Sequence, residues 1–104
     1  MATIAADIEQ VIRRFLKALE PRARVRGAYL FGSQVKGTAS EWSDIDLAVV
    51  SPDFSGDLIS ERLLLMKLAI QSDNRIEPRP FRPEDFDAAD PLVDEILRTG
   101  IPVN

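Results

Sequence analysis

The sequence contains no cysteine and no histidine. Without cysteine, the chain has no disulfide, no zinc–thiolate site and no thiol nucleophile. Without histidine, it has no Ser-His-Asp triad and no imidazole base, and it loses most ways of holding a transition metal. The groups left for catalysis are carboxylates, hydroxyls, lysine, arginine and a single tyrosine. Carboxylates acting with hard cations such as Mg²⁺ are therefore the natural candidates for chemistry.

Long hydrophobic runs and an excess of positive charge are also missing. No apolar run is long enough to cross a bilayer and the N-terminus lacks a signal-peptide layout, so we expect a cytoplasmic protein that does not contact membranes. The net charge of −4 disfavours nucleic acid as a partner, because sequence-independent binding to it needs a basic surface. The 104 residues suit one domain spanning residues 1–104, with little surface left to bind a large acceptor.

The spacing of the hydrophobic residues predicts a small α/β (α+β) domain with helices packed on a mixed sheet of three to four strands. The predicted elements, in order, are a helix at 4–19, strands at 25–31 and 44–50, a buried leucine-rich helix at 58–70, a strand at 75–81 and a helix at 90–98. Pro78 and Pro80 confine the third strand to a sheet edge or cut it short, because proline cannot donate a ladder hydrogen bond. Asp90 is predicted to cap the last helix, with Pro91 at its first position and Gly100 past its end.

Two short motifs flank the polar loop predicted at residues 33–43. Gly32-Ser33 follows the first strand, and Asp44-x-Asp46 begins the second. Alternate residues of a strand point to the same side, about 7 Å apart at Cα, so the two carboxylates can bind one or two divalent cations together. Glycine permits backbone angles closed to other residues and allows a phosphate to approach the main chain. Each motif alone is common, as a solvent-facing strand end or an ordinary loop.

Taken together, the motifs are far more specific. The stretch LFGSQVKGTASEWSDIDLAVV resembles the minimal nucleotidyltransferases of the DNA polymerase β superfamily, whose signature is Gly-Ser, ten residues, then Asp-x-Asp. The resemblance covers nearly the whole chain and implies the nucleotidyltransferase fold. It implies that Asp44 and Asp46 hold two Mg²⁺ ions, one activating the acceptor hydroxyl and the other orienting the triphosphate. The nucleotide-binding residues that it implies are Gly32, Ser33, Lys36, Gly37 and Ser43.

A third carboxylate is also implied, since members of this superfamily carry one on a later strand. Glu77 is the best candidate, as a catalytic and metal-binding acid, because it alternates with apolar Ile76 and so shares the side of the two aspartates. The alternative is a surface glutamate paired with Arg75 or Arg79. Three other acids fit a loop or a helix start better, and these are Glu84, Asp85 and Asp87.

The loop after Gly-Ser departs from the pattern of the resemblance. Many relatives have arginines there, whereas this chain has Gln34, Val35 and Lys36. Only Lys36 supplies charge to a phosphate from this loop, so we expect a low nucleotide affinity. Trp42 is expected to pack on the core, with a partner surface or a nucleotide base as its alternative contacts.

The resemblance implies a Mg²⁺-dependent enzyme that transfers AMP from ATP to an acceptor hydroxyl. Stand-alone domains of this kind are often paired with a small helical ribonuclease toxin of the HEPN type. We therefore expect such a partner, a tyrosine acceptor on it, and an antitoxin role in a type VII-like toxin–antitoxin pair, as a hetero-oligomer or a homodimer. One alternative is an inactive binding module that neutralises its partner by contact. Another is a sensor that binds ATP without turnover.

Overall fold

The computed structural model describes residues 4–37, 39 and 43–104 of the chain. The predicted α+β class is confirmed, with a mixed sheet of four strands and helices packed on it. The elements are α1 Ala6–Leu19, β1 Gly27–Phe31, α2 Ser33–Lys36, β2 Ile45–Val50, α3 Leu58–Ser72, β3 Ile76–Phe81, a 3-10 turn at Pro83–Asp85, α4 Pro91–Thr99 and β4 Ile101–Pro102. No helix in these described parts is both long and apolar enough to cross a membrane.

The strand order in the sheet is β3-β2-β1-β4. Strand β1 runs antiparallel to β2 and β4, whereas β2 and β3 are parallel. The prediction that prolines place the third strand at an edge is confirmed, since β3 is the first strand of the sheet formed by the described residues. Pro78 and Pro80 therefore lie on an edge strand, which is hydrogen-bonded to β2 and tolerates residues without an N–H donor.

One face of the sheet carries the main core. Helix α1 buries its apolar stripe, as its spacing predicts, and α3 packs beside it. The inward-facing strand residues include Leu30, Leu47 and Ile76, each nearly fully buried. These side chains alternate with residues of the opposite face, as period-two strands require.

The opposite face is covered by α4 and a small aromatic cluster. Phe31 and Ala48 pack there against Ile96, with partly buried aromatic and aliphatic side chains around them. The predicted cap of α4 is confirmed, because Oδ1 of Asp90 accepts a hydrogen bond from the N–H of Leu92 at 2.9 Å. Pro91 begins the helix and Gly100 follows its end, also as predicted.

The structure corrects three of the sequence predictions. The start of the predicted loop 33–43 is helical, because the Gly32 carbonyl accepts from the N–H groups of Val35 and Lys36. Helix α3 is not buried throughout: only its side towards α1 and β3 is covered, and a row of apolar residues on its outer side is exposed. The two-residue strand β4 was not predicted, since two residues show no periodicity. Trp42 lies outside the described residues.

Candidate active site

Gly32 forms a sharp turn at the end of β1. Its φ of 78° and ψ of −146° lie in a region that is essentially restricted to glycine. The turn leads directly into α2, and the first N–H groups of a helix have no acceptor within that helix. Backbone donors of Ser33 and Gln34 therefore lie at this turn, where an anion can accept from them.

The Gly32 turn packs directly against Asp46. A Cβ atom built on Gly32 would overlap Oδ2 of Asp46 and would lie 3.3 Å from its Cγ. The strand register explains this proximity, because Phe31, the residue before the turn, is paired with Asp46. The structure thus brings the glycine turn and one acid of the Asp-x-Asp motif together, although ten residues separate the two motifs in the sequence.

Glu77 lies beside Asp46 on the next strand. The parallel register of β2 and β3 pairs these two residues, so both side chains lie on the α4 face of the sheet. Asp44 precedes β2 and is exposed, whereas Asp46 is half-buried. Burial raises the pKa of Asp46, the charges of Asp44 and Glu77 raise it further, and the charge of Arg79 lowers it in part. Asp46 therefore lies among negative charges that are not fully balanced.

Glu77 is held by an arginine that the sequence did not single out. The guanidinium of Arg62 on α3 lies 3.3 Å from Oε2 of Glu77. The pairing considered from the sequence was with Arg75 or Arg79, but Arg75 binds Asp73 at 2.8 Å. No sequence spacing marks the Arg62 contact, because it joins a helix to a strand. Arg79 follows Glu77 by two positions, and strand alternation alone would have placed it on the same face.

The acids fit a hard divalent cation in their chemistry, but they are not assembled into a ligand set. Carboxylate oxygens are the donors that Mg²⁺ prefers, and a cation there would relieve the repulsion around Asp46. Within the part of the chain that the structure describes, no group of three acidic side chains is arranged to hold a metal ion. Asp46 and Glu77 are brought together by the strand register, and exposed Asp44 does not join them in a three-acid cluster.

The predicted nucleotide-binding residues lie around the start and end of α2. Ser33 begins that helix, and Gly37 ends it in the left-handed conformation with a φ of 75°. Lys36 forms an ion pair with α4, with Nζ 3.2 Å from Oε1 of Glu95. Ser43 is partly buried and directly precedes Asp44.

Gln34 is a further contact that sequence reasoning missed. Its side-chain amide donates to the main-chain carbonyl of Asp44 at 3.4 Å. The contact links the start of α2 to the first residue of the Asp-x-Asp motif. No sequence signal identifies it, because it depends on how the intervening chain returns to the sheet.

Comparison with known proteins is consistent with this geometry. The family model for the nucleotidyltransferase domain matches residues 10–96. A Methanocaldococcus jannaschii protein with the provisional name protein adenylyltransferase is 32% identical over 62 residues. The match spans 60% of this chain and 62% of that protein, which is less than two thirds of the relative's length.

Two solved structures are also similar to the chain. A toxin–antitoxin crystal structure with AMP-PNP superposes with a TM-score of 0.66 at 26% identity, over 92% of this chain and 72% of that one. A toxin–antitoxin MntA–HpeT mutant superposes with a TM-score of 0.64 at 25% identity, over the same shares of the two chains. That mutant carries two aspartate-to-glutamate substitutions two residues apart.

Proposed function

We propose that this chain, which belongs to the family of nucleotidyltransferase domains, transfers AMP from ATP to a hydroxyl group of a partner protein. The observation that carries the proposal is the packing of the Gly32 turn against Asp46, with Glu77 paired to Asp46 on the next strand. The AMP-PNP named for one similar structure supports ATP as the donor. The name of the Methanocaldococcus jannaschii relative supports a protein as the acceptor.

Each residue has a distinct task in the proposed reaction. The N–H groups at the start of α2 and the Ser33 hydroxyl bind the triphosphate, and Gly32 leaves room for its approach. Asp44 and Asp46 would hold Mg²⁺, which when bound neutralises phosphate charge. Glu77 accepts the proton of the acceptor hydroxyl while that oxygen bonds to the α-phosphorus. The bond from this phosphorus to pyrophosphate breaks, and pyrophosphate leaves with the electron pair.

Lys36, Gly37 and Ser43 are the remaining residues proposed to bind the nucleotide. Lys36 reaches the phosphates only after leaving Glu95, a partly exposed contact of the kind that contributes little stability. Gly37 lets the chain leave α2 in the left-handed conformation. The Ser43 hydroxyl is proposed as a further donor beside the aspartates.

The proposed partner is a small helical toxin of the HEPN type, with a tyrosine as the acceptor. The two toxin–antitoxin structures that this chain resembles support an antitoxin role. One of them carries paired aspartate-to-glutamate changes at the same two-residue spacing as Asp44 and Asp46. That spacing supports the choice of these two residues as the central acids.

The proposal is tested by label transfer from α-labelled ATP, with Mg²⁺, to the protein encoded by the adjacent reading frame. The wild-type chain is expected to label that protein, and Asp44→Asn/Asp46→Asn is expected to abolish labelling. Asp7→Asn is the matched control, because Asp7 is exposed on α1, which packs on the other face of the sheet. A wild-type chain that transfers no label, or a double variant that transfers as much, would show the proposal to be wrong.

A second candidate function is neutralisation of the partner by contact alone. The observation that favours it is the engagement of two site residues in ion pairs, Glu77 with Arg62 and Lys36 with Glu95. In that case the Asp44→Asn/Asp46→Asn variant still protects cells from the partner. If this variant binds the partner but no longer protects the cell, contact alone does not explain neutralisation.

A further inference from the structure

Helix α3 exposes a row of large apolar side chains on its outer side. Ile59, Leu63 and Ile70 have 77%, 57% and 66% of their surface exposed, and Met66 lies between them in the same row. The intervals between these four residues are four, three and four positions. We call this surface, Ile59–Leu63–Met66–Ile70, the outer α3 face.

The spacing of the outer α3 face is that of the a and d positions of a heptad. Residues at such intervals lie along one line of a helix, here about 16 Å long at 1.5 Å per residue. The core of the protein does not explain the row, because α3 turns a different side inwards, where Leu65 and Ala69 are buried. A second α-helix is the element whose side chains interdigitate with residues at this spacing.

Basic side chains flank the outer α3 face on both sides. Arg62 and Lys67 occupy positions that correspond to g and e of the heptad, where interhelical ion pairs form. The chain as a whole carries a net charge of −4, whereas Lys67 on this face is exposed and Arg62 is bound to Glu77 through one nitrogen only. Arg62 also has a buried Nε atom with no hydrogen-bond partner among the described residues. A helix with acidic flanking residues would complement these two rims.

The outer α3 face is continuous with the candidate active site. Ile59 and Arg62 line, together with Arg79 and Phe81, a cavity of about 330 Å³ between α3, β3 and the start of α4. Arg62 also binds Glu77, the acid proposed to accept the acceptor's proton. A protein docked along α3 would therefore lie beside the arginine that binds this carboxylate. The Gly32 turn lies on the other side of Asp46, because β1 and β3 flank β2 from opposite sides.

We propose that the outer α3 face binds an amphipathic helix of the acceptor protein, with apolar residues at heptad spacing and acidic residues on both flanks. This inference rests on the proposed function, because the docked protein is the one whose hydroxyl group receives AMP. A second copy of this chain fits less well, since its own α3 presents Arg62 and Lys67 rather than acids at the flanking positions.

The docking surface is tested without ATP, with two synthetic peptides as probes. One consists of three Glu-Ile-Ala-Ala-Leu-Glu-Lys heptads, and the other of three Lys-Ile-Ala-Ala-Leu-Lys-Glu heptads. Fluorescence anisotropy is expected to show binding of the acidic peptide, and about tenfold weaker binding of the basic one. Leu63→Ser is expected to weaken binding of the acidic peptide by about tenfold or more. Lys67→Glu is expected to shift the preference towards the basic peptide.

Leu97→Ser is the matched control, because Leu97 is a 49% exposed leucine on α4. It is expected to leave peptide binding unchanged. The inference is wrong if the wild-type chain binds neither peptide, binds both equally, or loses binding as much with Leu97→Ser as with Leu63→Ser. Sedimentation of the chain alone gives one more outcome: a dimer that Leu63→Ser dissociates would assign this face to a second copy and overturn the proposal.

Label transfer separates this inference from the proposed function. Leu63→Ser is expected to raise the KM for the partner protein while the KM for ATP stays unchanged. Selective peptide binding without any label transfer by the wild-type chain would support the docking surface and contradict the enzymatic proposal. Label transfer that is insensitive to Leu63→Ser would support the enzymatic proposal and contradict the docking surface.

Discussion

Replacement of Gly32 by alanine would place a methyl group in the space that the Asp46 carboxylate occupies. The new Cβ would overlap Oδ2 of Asp46, and its distance to Cγ would be 3.3 Å. Alanine would also have to adopt a φ of 78° and a ψ of −146°. The substitution therefore disturbs the backbone and the acid at the same time, whereas most glycine substitutions disturb only the backbone.

The two effects have different magnitudes. Holding a residue other than glycine in this region of φ and ψ costs about 1–3 kcal/mol. Moving the Asp46 side chain away from a preferred rotamer costs about 0.5–1.5 kcal/mol more. One kcal/mol corresponds to a shift of roughly 4–8 °C in the Tm of a domain of this size, so a loss of about 6 °C or more is expected. Activity should fall further than stability, since an error of about 1 Å in the position of a catalytic group can cost about a hundredfold in rate.

Gly37→Ala is the matched control. Gly37 also has a positive φ, 75°, but a Cβ there would have no neighbour within 4 Å. Its cost is therefore the left-handed backbone alone, about 1–2 kcal/mol. Thermal unfolding of both variants, each in the wild-type and the Asp46→Ala background, measures the coupling between glycine and carboxylate.

The double-mutant cycle gives a clear criterion. Removing the Asp46 carboxylate should reduce the cost of Gly32→Ala by the rotamer contribution, about 0.5–1.5 kcal/mol. It should leave the cost of Gly37→Ala unchanged. If both alanine variants lose the same stability and neither depends on Asp46, the direct contact between the turn and the acid is refuted, and with it the basis of the proposed site.

Three further predictions concern charge. Because burial raises the pKa of Asp46, the ionised form of this side chain destabilises the fold above that pKa. Asp46→Asn should therefore raise the Tm at neutral pH without Mg²⁺, and the difference in Tm between the variant and the wild type should shrink in acid. The variant should also abolish any stabilisation by added Mg²⁺. Glu95→Gln releases Lys36 from its ion pair and should lower the KM for ATP by up to about fivefold, which corresponds to the free energy of an exposed ion pair. An unchanged KM would mean that Lys36 does not reach the phosphates. The Arg24 guanidinium lowers the pKa of Asp53 to about 2, so the stability from this pair is present above the usual carboxylate pKa and is lost as the pH falls towards 2. Asp53→Asn should therefore lower the Tm at neutral pH but not near pH 2, and a constant difference across this range would contradict the prediction.

The strand and helix predictions succeeded where a strong period or a specific residue determines the local structure. The stripe of α1 has a helical period, and the prolines of β3 exclude a central strand. Asp90 and Pro91 are residue types favoured at the N-cap and at the first position of a helix. Such features depend on neighbours in the sequence, and therefore the sequence alone is sufficient to identify them.

The sequence was insufficient where contacts join distant parts of the chain. Leucines at many positions made α3 look buried, but the number of helices available to cover it decides how many of its faces are buried. The partner of Glu77 is Arg62, 15 positions earlier, and its identity depends on how α3 packs on β3. The same limit applies to Lys36, whose contact with Glu95 requires the position of α4.

The fold and the candidate site depend on one alternation along β2. Ile45, Leu47 and Val49 are fully buried in the core, so the residues between them must face the other way. α4 covers that second face at Ala48, where Ile96 packs, and Asp46 nearer the start of the strand is only half-buried. A shift of β2 by one residue would bury the acid in the core and would force a larger aliphatic side chain against α4 at the position where Ala48 now fits. The hydrophobic core therefore fixes the position of the carboxylate opposite the Gly32 turn, and the acid itself contributes no stability to that arrangement.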